Sequence, residues 1–229
     1  KGSSAVGHVR YSTTGETIKR NIQPLFAELV TGGFAVGHNG NLTNGRTLRR
    51  QLVREGSLFQ STTDTEVIIG LMAASKQTDV VDKLIDAVRQ VEGAYSLVAL
   101  TDKGVIGLRD PLGVRPLCLG RLADTWILTS ETCALDIIGA DFVRDIEPGE
   151  LIVLGAGAPK SLRPFPPAQR RFCIFEHIYF ARPDSMMEGM SVYDARTRIG
   201  AELARESHVP ADVVIPVPDS GVPAAIGYA

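Results

Sequence analysis

The order of hydrophobic patterns along the chain constrains its fold more than any single motif does. Two helices are predicted in succession, over 63–76 and 79–92, because apolar residues recur there at helical spacing. A short helix is predicted over 131–138, among strands at 94–100, 105–108, 116–120, 126–129 and 151–154. Since strand and helix do not alternate repeatedly, we expect an α+β fold with two stacked, mainly antiparallel sheets between outer helices.

The segment before these helices holds two strand patterns and an unusual polar run. Residues 5–11 alternate as a strand does, and so does the start of the stretch FAVGHNGNLTN at 34–44. Asn39-Gly40 after an apolar strand is a usual signal of a hairpin turn, but the pattern that follows at 46–53 is helical. Two interpretations stay open: a plain turn, or a backbone site with a function.

Both consecutive helices carry signals for their first residue. Thr63 and Glu66 have the spacing of a capping box, which predicts Thr63 as the N-cap of the first helix. Asp79 stands directly before the second apolar run and is predicted to cap that helix.

Composition excludes several classes of protein. The 229 residues are 44% hydrophobic and 22% charged, as in ordinary globular domains. A net charge of -2 without a basic stripe argues against nucleic acid as a partner. No apolar run is long enough for a membrane helix, so we expect no membrane partner. The 3 cysteines show no Cys-x-x-Cys spacing, which favours a reducing, cytoplasmic location.

A proline-rich segment separates two parts of the chain that have different secondary-structure patterns. Residues 158–167 hold several of the 13 prolines, which predicts an extended connector. Beyond it, a helix over 191–206 and an apolar strand over 213–217 lead into the polar turn Asp-Ser-Gly at 219–221. This is how a parallel α/β domain with a ligand site at a strand end begins.

These patterns predict the domain organisation. We expect a first domain over 1–158, a connector over 159–190 and the beginning of a second domain over 191–229. The chain starts at Lys1 without an initiator Met, and its last residues read as the first turns of a helix. A fragment of a longer protein is therefore expected.

Several short stretches resemble a known family. GHVRYSTTG at 7–15, HNGNL at 38–42 and STTDTE at 61–66 resemble, in this order, the glutaminase domain of class II glutamine amidotransferases, the N-terminal-nucleophile kind. IEPGE at 146–150 and FEHIYFARPDS at 175–185 resemble the branch that joins this domain to a phosphoribosyltransferase. The resemblance implies a four-layer αββα N-terminal-nucleophile hydrolase fold, followed by the start of an α/β phosphoribosyltransferase domain.

The same resemblance implies an activity. The family branch transfers ammonia from glutamine to phosphoribosyl pyrophosphate, giving 5-phosphoribosylamine at the first step of purine synthesis, and a homo-oligomer is expected. Another class II amidotransferase, of the sugar isomerase or asparagine synthetase type, stays open, although it should lack the stretch at 182–185. A non-catalytic module that senses glutamine or a nucleotide is the alternative from another class.

The resemblance also implies the residues of a glutamine site. Asn39 and Gly40 match the pair that forms the oxyanion hole of the family. Arg10 matches the arginine that grips the α-carboxylate of glutamine, and Asp64 the acceptor for its α-ammonium. Taken alone, Arg10 is also explained by a surface ion pair, and Asp64 by the dipole of a helix N-terminus.

The family nucleophile has no counterpart in the chain. It is an N-terminal cysteine whose own amino group acts as the base, whereas this sequence starts with Lys1. Cys118 and Cys133 lie in apolar patterns, which favours buried, inert cysteines. His8 and His38 are predicted to be hydrogen-bonded structural residues. As given, the chain is expected to be inactive in glutamine hydrolysis.

Two residues of the second part are candidates for binding metals. Ser220 matches a hydroxyl that binds Mg²⁺ of the phosphoribosyl pyrophosphate complex or one of its waters, although a helix N-cap explains it as well. Cys173 lies where some members place one ligand of a [4Fe–4S] cluster, while others have a cysteine there and no cluster. Both interpretations stay open, since a cluster needs four ligands.

Overall fold

The computed structural model describes residues 2–9 and 17–229. The chain forms two compact units, Lys1–Leu117 with Ile146–Phe172, and Cys118–Asp145 with Cys173–Ala229. A segment of the second unit is thus inserted into the chain of the first, which no sequence pattern indicated. The domain limits at 158 and 190 stay a prediction.

The described residues form the following regular elements. The strands are β1 Leu25–Leu29, β2 Gly32–Leu42, β3 Gly93–Thr101, β4 Gly104–Arg109, β5 Cys118–Leu122, β6 Thr125–Thr129, β7 Asp141–Asp145, β8 Leu151–Leu154, β9 Lys160–Leu162, β10 Met186–Met187 and β11 Met190–Ser191. The α-helices are α1 Gly45–Arg54, α2 Thr65–Ala74, α3 Val80–Val88, α4 Cys133–Ile138, α5 Val192–Glu206 and α6 Gly221–Tyr228. A 3₁₀ turn covers Lys19–Asn21, and a π-helical turn covers Glu176–Phe180. In the described ranges, no helix is long and apolar enough to cross a membrane.

The first unit is built on a sheet of six described strands. Their order is β1, β2, β3, β4, β8, β9, and every neighbouring pair is antiparallel. β2 and β3 stay in register from Phe34 opposite Thr101 to Leu42 opposite Gly93. β9 lies inside the segment expected to be a connector, so the start of that segment belongs to the sheet.

One face of this sheet packs on helices α2 and α3. Phe34 and Val36 of β2 are fully buried, as the alternation of a strand requires, and they join one apolar cluster with Val67 of α2 and Leu84 of α3. Asp79 accepts a hydrogen bond from Val81 N at 2.8 Å and caps α3, which confirms the predicted cap. This apolar contact between the sheet and the two helices holds β2, the strand that carries the candidate site, in place.

Near the site, one of the two open interpretations of Asn39-Gly40, the plain turn, is excluded, and the predicted cap of α2 is wrong. β2 runs through Asn39 and Gly40 without a turn, because both residues pair with β3. The capping box is not formed either, since α2 begins at Thr65 and the Glu66 carboxylate accepts from Ser61 N at 2.8 Å. In both cases, partners elsewhere in the fold compete successfully with the local pattern.

Two predicted strands are not formed in the described residues. The strand expected at 5–11 is absent over residues 5–9, and residues 10 and 11 lie outside the described ranges. The strand expected at 213–217 is irregular, with Val213 71% and Ile215 83% exposed. A strand draws its hydrogen bonds from a neighbour, and none of the described strands pairs with either segment.

The second unit combines a small sheet with helices. β5 lies between β6 and β7, and Cys118 of β5 packs against Leu135 of α4. Cys118 and Cys133 are both buried, as predicted for inert cysteines. α5 begins after Ser191, whose hydroxyl accepts from Asp194 N at 3.2 Å, and α6 packs closely on α5.

Gly200→Ala should destabilise the contact between α5 and α6. A Cβ at Gly200 would collide with the carbonyl oxygen of Ala224, and a backbone cannot move as a side chain can. Helix propensity alone favours Ala over Gly by about 1 kcal/mol, so the sign of the effect is informative. We expect the free energy of unfolding to fall by about 1–3 kcal/mol, as measured by denaturant titration.

Gly70→Ala in α2 is the control for this prediction. Its Cβ would meet side chains and no backbone: Leu52 Cδ1 at 3.0 Å, which can shift, and Phe59 Cζ at 3.5 Å, an ordinary contact. The Gly70 variant should therefore lose less stability. An increase in stability for Gly200→Ala would contradict the close packing of the two helices.

Candidate glutamine site

The strand β2 positions the Asn-Gly pair in the first unit. Asn39 lies opposite Ser96 of β3, and Gly40 lies opposite Tyr95. Gly40 has a φ of 141°, and a Cβ there would collide with the carbonyl of Ala94. A glycine is therefore required at this position, because any side chain would push β2 away from β3.

On either side of Gly40, a main-chain N–H points to the edge of β2 opposite β3. β1 pairs only with the first half of β2, so no described strand covers this edge beyond it. His38 N donates to Gln23 Oε1 at 2.6 Å, and Leu42 N donates to Asp64 Oδ2 at 2.7 Å. Alternate residues of a strand direct their N–H groups to the same side, so Gly40 N–H points to this edge between the two.

A distant arginine sets the orientation of the Asn39 amide. Arg115 donates from its Nη2 to Asn39 Oδ1 at 2.8 Å. A guanidinium has only donors, so the oxygen of the amide must face Arg115 and the NH₂ group must face away. Nδ2 of Asn39 has no acceptor among the described residues, which leaves its hydrogens for a ligand.

Asp64 lies beside the same end of β2. Its bond to Leu42 N ties the carboxylate to the strand two residues beyond Gly40, and its side chain is 12% exposed. Asp64 Oδ1 lies 3.9 Å from His38 Nδ1. The carboxylate is therefore held in place and keeps some access to solvent, as an acceptor for a ligand requires.

His38 is a buried support beneath this end of the strand. Its Nδ1 lies 3.1 Å from Thr65 Oγ1 at the start of α2. Burial lowers the pKa of His38, an effect that the nearby Asp64 carboxylate opposes. The lowered pKa favours the neutral ring, and the contact with Thr65 fits the structural role predicted for His38.

Side-chain hydrogen bonds from Glu66 and from Arg49 hold the loop that carries Asp64. The Glu66 carboxylate accepts from Gln60 N at 2.7 Å and from Ser61 Oγ at 2.6 Å. Arg49 of α1 donates to the carbonyls of Ser61 at 2.9 Å and Thr63 at 2.7 Å. The motif at 61–66 predicts a helix cap, whereas its polar side chains hold a loop in place.

Of the remaining predicted site residues, one lies outside the described ranges and two belong to the second unit. Arg10 lies outside the described residues. Ser220 is the residue before α6, and half-buried Cys173 precedes the π-helical turn, both in the second unit. Within the described ranges, no group of three His, Cys, Asp or Glu side chains is placed to hold a metal.

Sequence reasoning missed Arg115. It lies directly after the turn Asp-Pro-Leu-Gly-Val at 110–114, and a turn followed by a basic residue has many explanations. Its contact with Asn39 joins residues that are 76 positions apart. No local pattern reports such a pair.

A strand end with oriented hydrogen-bond donors and a nearby carboxylate is the arrangement that the resemblance to class II glutamine amidotransferases implies. Residues 8–136 match the family model described as "Glutamine amidotransferase domain", which is more than half of the chain. The chain belongs to the glutamine amidotransferase family.

Named relatives narrow this class. A protein of Rhizobium etli named "Amidophosphoribosyltransferase" is 54% identical over 100% of this chain and 47% of its own length. A protein of the same name from Archaeoglobus fulgidus is 46% identical over 100% of this chain and 50% of its own length. The chain thus spans about half the length of these curated relatives.

A solved structure confirms the predicted fold class. The glutamine phosphoribosylpyrophosphate amidotransferase from B. subtilis, complexed with ADP and GMP, matches with a TM-score of 0.90 at 42% identity. The match covers 96% of this chain and 48% of that one. The α+β, N-terminal-nucleophile hydrolase fold expected from the sequence is therefore the fold of this chain.

Proposed function

We propose that the full-length protein is an amidophosphoribosyltransferase, which transfers ammonia from glutamine to phosphoribosyl pyrophosphate and releases 5-phosphoribosylamine and pyrophosphate. The observation that carries this proposal is the 54% identity over the whole chain to a relative of that name. This relationship covers the whole chain and so extends beyond residues 8–136, which match the glutamine amidotransferase domain. Glutamine and phosphoribosyl pyrophosphate are its proposed substrates.

The geometry of the first unit supports the glutaminase step. Attack on the side-chain amide of glutamine places negative charge on its carbonyl oxygen, and donors fixed in advance lower this barrier most effectively. The Asn39 amide and the Gly40 N–H are such donors, both held by contacts outside the site. Asp64 would accept the α-ammonium and Arg10 would bind the α-carboxylate.

The metal and cluster sites stay proposals without a chemical step. Ser220 contributes one hydroxyl at the start of α6, whereas Mg²⁺ prefers six oxygen ligands, so further ligands must come from other residues or phosphates. Cys173 is one thiol, and the 3 cysteines of this sequence cannot by themselves supply a set of four. The described residues alone therefore do not build either site.

Two further proposals concern the oligomeric state and the cellular location of the enzyme. A homo-oligomer and a cytoplasmic location are proposed from the family resemblance and from the lack of a cysteine pattern for disulfides. Neither is needed for the glutaminase chemistry of one chain.

An isotope experiment tests the proposed function in the full-length protein. With glutamine labelled by ¹⁵N at the side-chain amide, the label should appear in phosphoribosylamine, in step with release of pyrophosphate and glutamate. Glutamate formation that never leads to pyrophosphate release would indicate another class II amidotransferase. Binding of glutamine without turnover would indicate the sensing module instead.

A further inference from the structure

We propose that Arg115 is a positioning residue for glutamine hydrolysis, which acts by fixing the Asn39 amide with its donor toward the substrate. This inference rests on the proposed glutaminase function and assigns a role to a residue outside the predicted site. Its basis is the bond of 2.8 Å from Arg115 Nη2 to Asn39 Oδ1.

The need for such a residue follows from the chemistry of an amide side chain. The last torsion of Asn is broad and roughly two-fold, so oxygen and NH₂ can exchange places at little cost. With the oxygen toward the substrate, the developing negative charge would meet an acceptor instead of a donor. Arg115 removes this ambiguity because a guanidinium cannot accept a hydrogen bond.

The backbone of Arg115 is itself held on both sides. Its N–H donates to Asp110 Oδ2 at 3.2 Å, and the same buried carboxylate accepts from Val114 N at 2.9 Å. Its carbonyl accepts from Ser96 Oγ at 3.2 Å and from Arg109 Nε at 2.8 Å. The base of the guanidinium is therefore fixed relative to β3, the strand on which Asn39 pairs.

Arg109 makes this support rigid. It is 1% exposed and donates also to the carbonyls of Ile146 at 2.8 Å and Gly113 at 3.0 Å. A buried arginine that satisfies three carbonyls is costly to rearrange. The donor of Asn39 is thus set before substrate arrives, which is the condition under which it lowers the barrier most.

A double-mutant cycle in the full-length protein tests this role. Arg115→Met keeps the length of the side chain but removes the donor, and should lower kcat for glutamine hydrolysis on the order of tenfold with a smaller change in KM. In an Asn39→Ala background, the same substitution should cost nothing more, because Arg115 would have no amide left to orient. Arg54→Met, at an exposed position of α1, is the matched control and should leave kcat unchanged.

Two other variants test whether a side chain that can only donate is required. Arg115→Lys has donors and no acceptor and should recover part of kcat, whereas Arg115→Gln, whose amide can also accept, should recover less. An equal loss from Arg115→Met in both backgrounds would show that the charge acts directly, and better recovery by Gln than by Lys would show that a pure donor is not needed; either result would overturn the proposal. A wild-type protein that does not hydrolyse glutamine would overturn the proposed function, and this inference with it.

Discussion

Asn39→Ala should lower kcat for glutamine hydrolysis by the full-length protein on the order of a hundredfold, with a smaller change in KM. The reason is that the amide donor gains most of its strength in the transition state, where the carbonyl oxygen of the substrate becomes negative. Steady-state release of glutamate over a range of glutamine concentrations separates the two parameters.

Asn39→Asp is the matched variant for this prediction. It keeps the shape of the side chain and an oxygen for Arg115, but it replaces the donor by a second acceptor. We expect its kcat to be at least as low as that of Asn39→Ala. Synthesis from free ammonia and phosphoribosyl pyrophosphate should survive both substitutions, since it bypasses glutamine. Loss of the ammonia-dependent reaction would instead point to a general structural defect.

Asp64→Asn should raise KM for glutamine by roughly 10- to 100-fold while kcat changes little, because a hydrogen bond to a charged group contributes about 1.5–3 kcal/mol. The substituted amide can still accept the bond from Leu42 N, so β2 and the start of α2 stay connected. The experiment therefore removes the charge and leaves the support in place.

A substrate without the α-amino group makes this test specific. The wild-type protein should bind such a glutamine analogue weakly, and Asp64→Asn should weaken its binding little further, since the group that Asp64 contacts is already missing. Asp64→Ala removes the acceptor for Leu42 N as well and should also lower the temperature of unfolding. An Asp64→Asn variant with normal KM but lower stability would show that Asp64 has a structural role and does not bind glutamine.

Local patterns were sufficient for most of the secondary structure. The cap of α3 at Asp79, the strand at Leu151–Leu154 and the short helix at Cys133–Ile138 all follow from residues within one or two turns of one another. Their spacing alone decides which face is apolar and which group satisfies the first N–H. The family of the chain was also readable, because ordered motifs stay together in the sequence.

The tertiary structure decided the features for which the partners are far apart. Asn39 and Gly40 continue the strand β2 because this segment pairs with β3. The Glu66 carboxylate accepts from Ser61 N in the preceding loop instead of capping the helix. The insertion that divides the first unit left no trace in composition. For the Asn-Gly segment, the competing partners lie 55 to 57 positions away on β3, whereas the Glu66 carboxylate binds a residue only 5 positions away, outside the pattern of a helix cap.

The sequence by itself determined which kinds of groups the candidate site contains: an amide, a glycine and a carboxylate on short motifs. Only the tertiary structure decided how they are aimed. The Gly40 N–H lies between His38 N and Leu42 N, which donate to side chains, on an edge that no described strand covers, and the Asn39 amide is oriented by Arg115 from 76 residues away. Orientation depends on contacts between segments that meet only after folding, and a hydrogen bond of this kind has no period or spacing in the sequence.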